Sequence, residues 1–285
     1  MRLSYARLPL FFALLFLGFS EASAQKPSLV CPSAKNDPQV RKYSGYTVQL
    51  VHSSQRGYRC QAIVTSPGKT TAGKKVSRDW ALSINALSGS DVNGDGKPEL
   101  IVQGYSGGPH CCYTYRIITL SEGLPLLREI SNQVPVIFRK LDDGTTELRT
   151  GDGVFDYFLV PHATSVIPDL FFRMQGEQLV DVSSEHGSDY DKRIEKARSE
   201  LIPAELDKLK KSTYSQDMLL DQLPTVQKVL TVVLNYLYSG REDLAWQALD
   251  EMWPPSDLGR VKKLIVERRS RGLLSQVTKK ITSGS

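Results

Sequence analysis

Asp91-Val92-Asn93-Gly94-Asp95-Gly96-Lys97-Pro98-Glu99-Leu100-Ile101-Val102 is the most informative segment of the 285 residues. Oxygen-bearing side chains stand at positions 1, 3, 5 and 9 of it, as Asp91, Asn93, Asp95 and Glu99, with the main-chain carbonyl of Lys97 at position 7. A hard cation such as calcium takes six to eight oxygen ligands, and a curled loop aims alternate residues inward. Gly94 and Gly96 permit the left-handed backbone that such a curl needs. Three carboxylates held this close repel one another without a cation between them. An EF-hand requires a bidentate Glu at position 12 and a helix on either side. Position 12 here is Val102, and Leu100, Ile101 and Val102 read as a strand, so the loop opens into β structure. The alternative reading is a plain Asn-Gly or Asp-Gly turn with solvated acids; the donor spacing favours Ca2+.

An Asp-rich loop running straight into an apolar strand resembles the FG-GAP or VCBS-type repeat of integrin-α-like β-propellers. That resemblance implies a structural calcium site in a β-rich domain. It covers about a dozen of the 285 residues, the family's usual Asp is Glu99 here, and the loop occurs once.

Outward from the loop, Tyr46–His52, 58–65, 80–87, 99–103, 113–120, 134–140 and 146–150 are short β-branched or aromatic runs separated by Gly, Ser, Asp and Pro clusters. Asp143-Gly144 marks a hairpin, and 170–174 with 178–182 make a last one around Gly176. The expectation is an α+β chain. About nine strands form an antiparallel meander, a partial propeller or sandwich, over residues 25–188, and a helical domain fills 189–285. In that second part, Ile194, Ala197, Leu201 and Ala204 fall at helical spacing despite Pro203. Pro224 opens and Gly240 closes a helix striped with Val226, Val229, Leu230, Val233, Leu234 and Leu237. Leu244 to Met252 gives a short helix, and 258–274 a third. The first two of these three resemble a tetratricopeptide-like hairpin, present in one copy.

The chain begins with Arg2 and Arg7, an apolar run from Leu8 to Phe19, and Ala22-Ser23-Ala24, the order of a secretory signal cleaved between Ala24 and Gln25. The run is shorter than the roughly 20 apolar residues of a membrane span, so the expectation is a secreted or periplasmic protein with no membrane span. Net charge is +5. The basic residues near the carboxy terminus are scattered as on a solvated helix face, which argues against a nucleic-acid partner.

Four cysteines, Cys31, Cys60, Cys111 and Cys112, in an oxidising compartment imply two disulfides. Neighbours in a strand point to opposite faces, so Cys111 and Cys112 can each reach a different partner. The arrangement favoured is Cys31 with Cys60 and Cys111 with Cys112, because the first pair would pin the amino-terminal segment to a strand. Gly107-Gly108-Pro109-His110-Cys111-Cys112 after an Asp-rich loop resembles a set of uncharacterised exported bacterial proteins. The resemblance implies no activity, only that loop and cysteine pair form one structural unit. Adjacent cysteines lack the usual spacing of a zinc site, so His110 is read as a turn residue.

Gly104-Tyr105-Ser106-Gly107-Gly108 matches the G-x-S-x-G nucleophile pattern, with His162 or His186 and Asp169 as partners for a secreted serine hydrolase. That elbow needs a strand before it and a helix after it, whereas strand continues here. No H-E-x-x-H, P-loop or dinucleotide fingerprint is present. The expected function is therefore a non-enzymatic binding module for a protein or glycan partner, with the hydrolase and an envelope scaffold acting through the helices as alternatives.

Overall fold

The computed structural model describes residues 28–32, 37–69, 73–108, 111–213 and 215–278. The expected signal segment, its cleavage point and His110 lie outside the described residues.

Thirteen antiparallel strands among these residues form three sheets in succession. The first is an up-and-down meander of β2 (Gln39–Tyr43), β3 (Tyr46–His52), β4 (Cys60–Thr65) and β5 (Lys74–Asp79). The second runs β1 (Leu29–Val30), β6 (Ala81–Ile84), β7 (Glu99–Gly108), β8 (Cys111–Thr119) and β9 (Leu126–Asn132). The third comprises β10 (Ile137–Lys140), β11 (Thr146–Gly151), β12 (Asp169–Gln175) and β13 (Gln178–Asp181). The sequence pattern yields nine strands and one sheet system; β1, β2, β5 and β9 are the additions, and each lies at an edge.

Side-chain period explains where each sheet turns. In the first, Val48, Leu50, Ala62 and Val64 are buried on one face while Gln49 and Ile63 face outward. In β7, Leu100, Ile101 and Val102 are all fully buried. Such a run demands cover on both faces, and it has it. Leu100 and Val102 join Leu82, Ile84 and Ile118 in a core shared with the first sheet. Ile101, with Tyr115, Ile117 and Ile130, joins a larger core shared with the third sheet and the helices. The second sheet is thus the central layer of the molecule.

Seven α-helices complete the described chain, α1 (Gly187–Ser199), α2 (Pro203–Lys211), α3 (Gln216–Asp221), α4 (Leu223–Tyr238), α5 (Glu242–Met252), α6 (Leu258–Arg269) and α7 (Leu273–Thr278). The helical run expected through Ile194, Ala197, Leu201 and Ala204 is broken in two: α1 stops at Ser199, Leu201 lies between helices, and Pro203 opens α2 with Ala204 exposed. Ile202, held extended at φ −89° and ψ 119°, obeys the restriction that proline places on the residue before it. Gly240 takes φ +79°, the left-handed turn that stops α4. The expected single helix over 258–274 is interrupted before α7 by Gly272. A Cβ there would collide with the Asp152 carboxylate. The α4 stripe is buried throughout, from Val226 to Leu237, and packs in the same core as Leu148 and Phe172 of the third sheet. The helical part and the third sheet therefore share one hydrophobic core.

Candidate functional site

The Asp-rich loop sits at the start of β7, at the seam between the second and third sheets. Its ends are closed by Glu99 N–H donating to the Ser90 carbonyl at 2.9 Å and Gly89 N–H donating to the Glu99 carbonyl at 2.7 Å. Val92 is buried in the large core, which anchors the loop from below. From the third sheet, Gly176 N–H donates to the Asn93 carbonyl at 3.0 Å, and Lys140 Nζ donates to the Asp91 carbonyl at 2.6 Å. Neither contact is visible in the sequence, because both partners are distant in the chain and become neighbours only when the third sheet docks.

Inside the loop the acidic side chains turn toward the main chain. Asp91 Oδ1 accepts from Gly94 N–H at 2.7 Å and Asn93 N–H at 3.2 Å, and its Oδ2 from Gly96 N–H at 2.8 Å. Asp95 Oδ1 accepts from Lys97 N–H at 2.8 Å, and Asn93 Oδ1 from Asp95 N–H at 3.2 Å. Gly94 and Gly96 adopt φ +81° and +82°, the curl expected of them. Partial burial opposes ionisation of Asp91, but the N–H groups of Gly96, Gly94 and Asn93 outweigh it and hold the carboxyl below its ordinary value.

Glu99 is the unusual member. Its side chain is 0 % exposed, Oε2 accepts from Val92 N–H at 2.9 Å, and Oε1 has no hydrogen-bond partner. Burial pushes its pKa up to about 7, the Val92 N–H works the other way, and the charges of Asp95 and Asp91 add to the rise. A buried carboxylate oxygen left without a donor is costly. A cation beside it would supply the missing partner and offset the repulsion from the two aspartates.

As the side chains stand, no group of three Asp, Glu, His or Cys residues among the described residues is placed to hold a metal ion. The donor chemistry of Asp91, Asn93, Asp95, Glu99 and the Lys97 carbonyl is nonetheless all oxygen, the class a calcium ion requires. Glu99 Oε1 is the one buried side-chain oxygen of the loop without a hydrogen-bond partner among the described residues.

Cys31 and Cys60 form a disulfide with a Cα–Cα distance of 6.0 Å, tying the amino-terminal segment beside β1 to the start of β4. Cys112 is disulfide-bonded as well; the Cys111 side chain lies outside the described residues. The loop and the cysteine pair belong to one β7–β8 hairpin but occupy its opposite ends, with Glu99 opposite Thr119 and Gly108 opposite Cys111.

The G-x-S-x-G match lies within strand β7, and β8 comes directly after it, so the strand-to-helix turn of a nucleophile elbow is not formed there. Ser106 Oγ accepts from Cys112 N–H at 2.7 Å. His162 pairs through Nδ1 with Asp156 at 2.8 Å. His186 lies between Glu147, at 3.0 Å from its Nε2, and the ring of Phe171 stacked at 3.7 Å. Asp169 is taken by Arg149 at 2.8 Å and Arg193 at 2.6 Å. These four residues serve separate local contacts.

Sequence reasoning passes over Asp152, a buried carboxylate at the end of β11. It accepts from Tyr238 Oη of α4 at 2.6 Å and from Leu273 N–H of α7 at 3.0 Å. It joins sheet to helices, and only its place after a glycine at the end of a strand run marks it in the sequence.

No helix among the described residues is long and apolar enough to cross a membrane. Compared with protein-family models, with curated proteins and with solved structures, the chain matches none.

Proposed function

We propose that this chain is an exported binding module whose Asp91–Glu99 loop takes one structural calcium ion, resembling in that respect the FG-GAP and VCBS-type repeats. The observation that carries the reading is the fully buried Glu99, with one oxygen lacking a donor, beside the charges of Asp91 and Asp95. The ion would be held by Asp91, Asn93, Asp95, Glu99 and the Lys97 carbonyl. It supplies charge compensation and rigidity, not a reaction step. Because Gly176 and Lys140 reach the loop from the third sheet, stiffening it stiffens the seam between two sheets. The Cys31–Cys60 disulfide fits an oxidising compartment and so supports export. The partner is another protein or a surface glycan.

Thermal unfolding of the mature chain with excess chelator and with excess Ca2+ tests the reading. A ligand that binds only the folded state raises its stability by mass action. For a chain of this size each kcal/mol moves the midpoint by about 2–4 °C. The expected result is a rise with Ca2+ that Asp95→Ala abolishes and Asp143→Ala, in the turn between β10 and β11, leaves intact. Equal midpoints in the two buffers would remove the calcium site.

A further inference from the structure

The outer edge of the first sheet carries a cluster of cations that the calcium loop does not involve. A cleft of about 370 Å³ lies against edge strand β5, lined by Tyr58, Lys75, Val76, Ser77, Arg78 and Arg116. Arg116 comes from β8 of the second sheet and closes the cleft by donating to Ser77 Oγ at 2.8 Å. Three cations thus face one cavity, and no acidic residue is among the described residues that line it. Arg116 is paired with Glu129 at 2.8 Å. Lys75 and Arg78 have no carboxylate partner among the described residues. Asp79, the acid on the same strand, accepts from the Trp80 N–H at 2.8 Å and interacts electrostatically with Arg116, not with Lys75 or Arg78.

One of the two unpaired cations is also held in place. Arg78 lies over the ring of Tyr58, 5.4 Å from its centroid, and donates to Gln55. Beside them Arg59 stacks on Trp80 at 3.6 Å, and Gly107 backs the indole so closely that a Cβ there would stand 2.7 Å from Cγ. Guanidinium groups fixed on aromatic faces lose less freedom on binding an anion than free ones do. A concave site lined by one sign of charge concentrates ligands of the other sign. Tyr58, 40 % exposed, adds a ring whose body is apolar and whose tip is polar.

We propose that this cleft binds an acidic sugar, a saccharide unit bearing carboxylate or sulfate, with Lys75 and Arg78 on the anion and Tyr58 against the ring. The cavity volume lies at the small-ligand end of the range for binding pockets. Its charges converge on a pocket rather than following the extended, aromatic-studded track of a single-strand nucleic-acid site. This names a partner class for the binding role proposed above and does not depend on the calcium loop.

The test is calorimetric titration of the mature chain, in Ca2+ and in chelator, with a uronate oligosaccharide, a sulfated oligosaccharide, a neutral oligosaccharide of equal length, and single-stranded DNA. The expected result is saturable binding of at least one acidic sugar and none of the neutral one. That binding should weaken about tenfold in each of Arg78→Gln, Lys75→Gln and Tyr58→Ala, and stay unchanged in Lys262→Gln on α6. The unfolding midpoint of each variant, measured alongside, should match the parent, since the three side chains are exposed. Which acidic sugar binds identifies the anion. Failure of both acidic sugars, equal binding of the neutral one, or DNA binding that ignores Tyr58→Ala would overturn the proposal. Sugar binding together with melting that ignores Ca2+ would leave this site standing and remove only the calcium reading.

Discussion

The central sheet divides the molecule into two cores that are secured differently. On one side, thirteen buried side chains among the described residues join the first and second sheets, and one of them, Cys60, is bonded to Cys31 beside β1. On the other, a much larger cluster runs from Tyr115 and Phe138 through Phe172 to Val229 and Trp253 and is pinned by polar nodes such as Asp152. The contrast comes from area: a small core buries too little apolar surface to offset the conformational entropy of the chain and gains from a covalent constraint on the unfolded state. The larger core buries more apolar surface and depends less on such a constraint.

The largest effect is expected from removing residues 189–285. Leu148 and Phe172 would then lose their helical cover, and the remainder should bind a hydrophobic dye and show no cooperative thermal transition. A fragment that melts like the whole chain would mean that the two parts hold separate cores. Next in size, Cys31→Ala with Cys60→Ala should cost about 3–4 kcal/mol, for a loop closed across a sequence separation of 29. Hydrogen exchange should locate the loss in the first sheet and leave α4 protected. Equal loss of protection on both sides of the central sheet would dissolve the distinction.

The loop at the seam offers a finer probe through pH. Glu99 ionises near 7 when folded against an ordinary value of 4.5, so its contribution is fully present below about pH 4.5 and is lost as pH rises through 7. In chelator, Glu99→Gln should therefore stabilise the protein at pH 8 by on the order of 2–3 kcal/mol relative to the parent. It should confer nothing of the kind at pH 4. In the parent, Ca2+ should restore stability at pH 8 more than at pH 5; a chemical denaturation series at each pH reads both effects. Smallest of all, Gly272→Ala should cost about 1–2 kcal/mol because the new methyl group meets Asp152. Urea unfolding checks it, and the effect should shrink when Asp152 is also changed to Ala, since neighbours couple.

The strands that the sequence hides share one property. Gln39–Tyr43, Lys74–Asp79 and Leu126–Asn132 are edges, and Arg41, Lys42, Lys74, Lys75, Arg78 and Arg128 interrupt any apolar alternation along them. Charged edges guard against further pairing, and the same charges erase the period-2 signal. The strands that are legible have interior neighbours or β-branched runs. In the helices, Pro224 and Gly240 mark their boundaries correctly, whereas the stripe read through Pro203 breaks there into α1 and α2, and the break at Gly272 depends on a carboxylate 120 residues earlier in the chain.

By itself the sequence determined the features that local chemistry sets: the oxygen donors at alternate positions from Asp91, the glycines that curl that segment, the apolar run behind it, and the change of period after the last hairpin. Backbone dihedral limits and side-chain alternation act over a few residues and can be read there. Only the tertiary structure decided that β7 is covered on both faces, that Lys140 and Gly176 reach the loop, that Glu99 is buried with an oxygen unsatisfied, and that Arg116 closes a cleft with Lys75 and Arg78. Each of these depends on which distant segments share a layer, and that is set by the summed burial of whole sheets rather than by any stretch of residues within them.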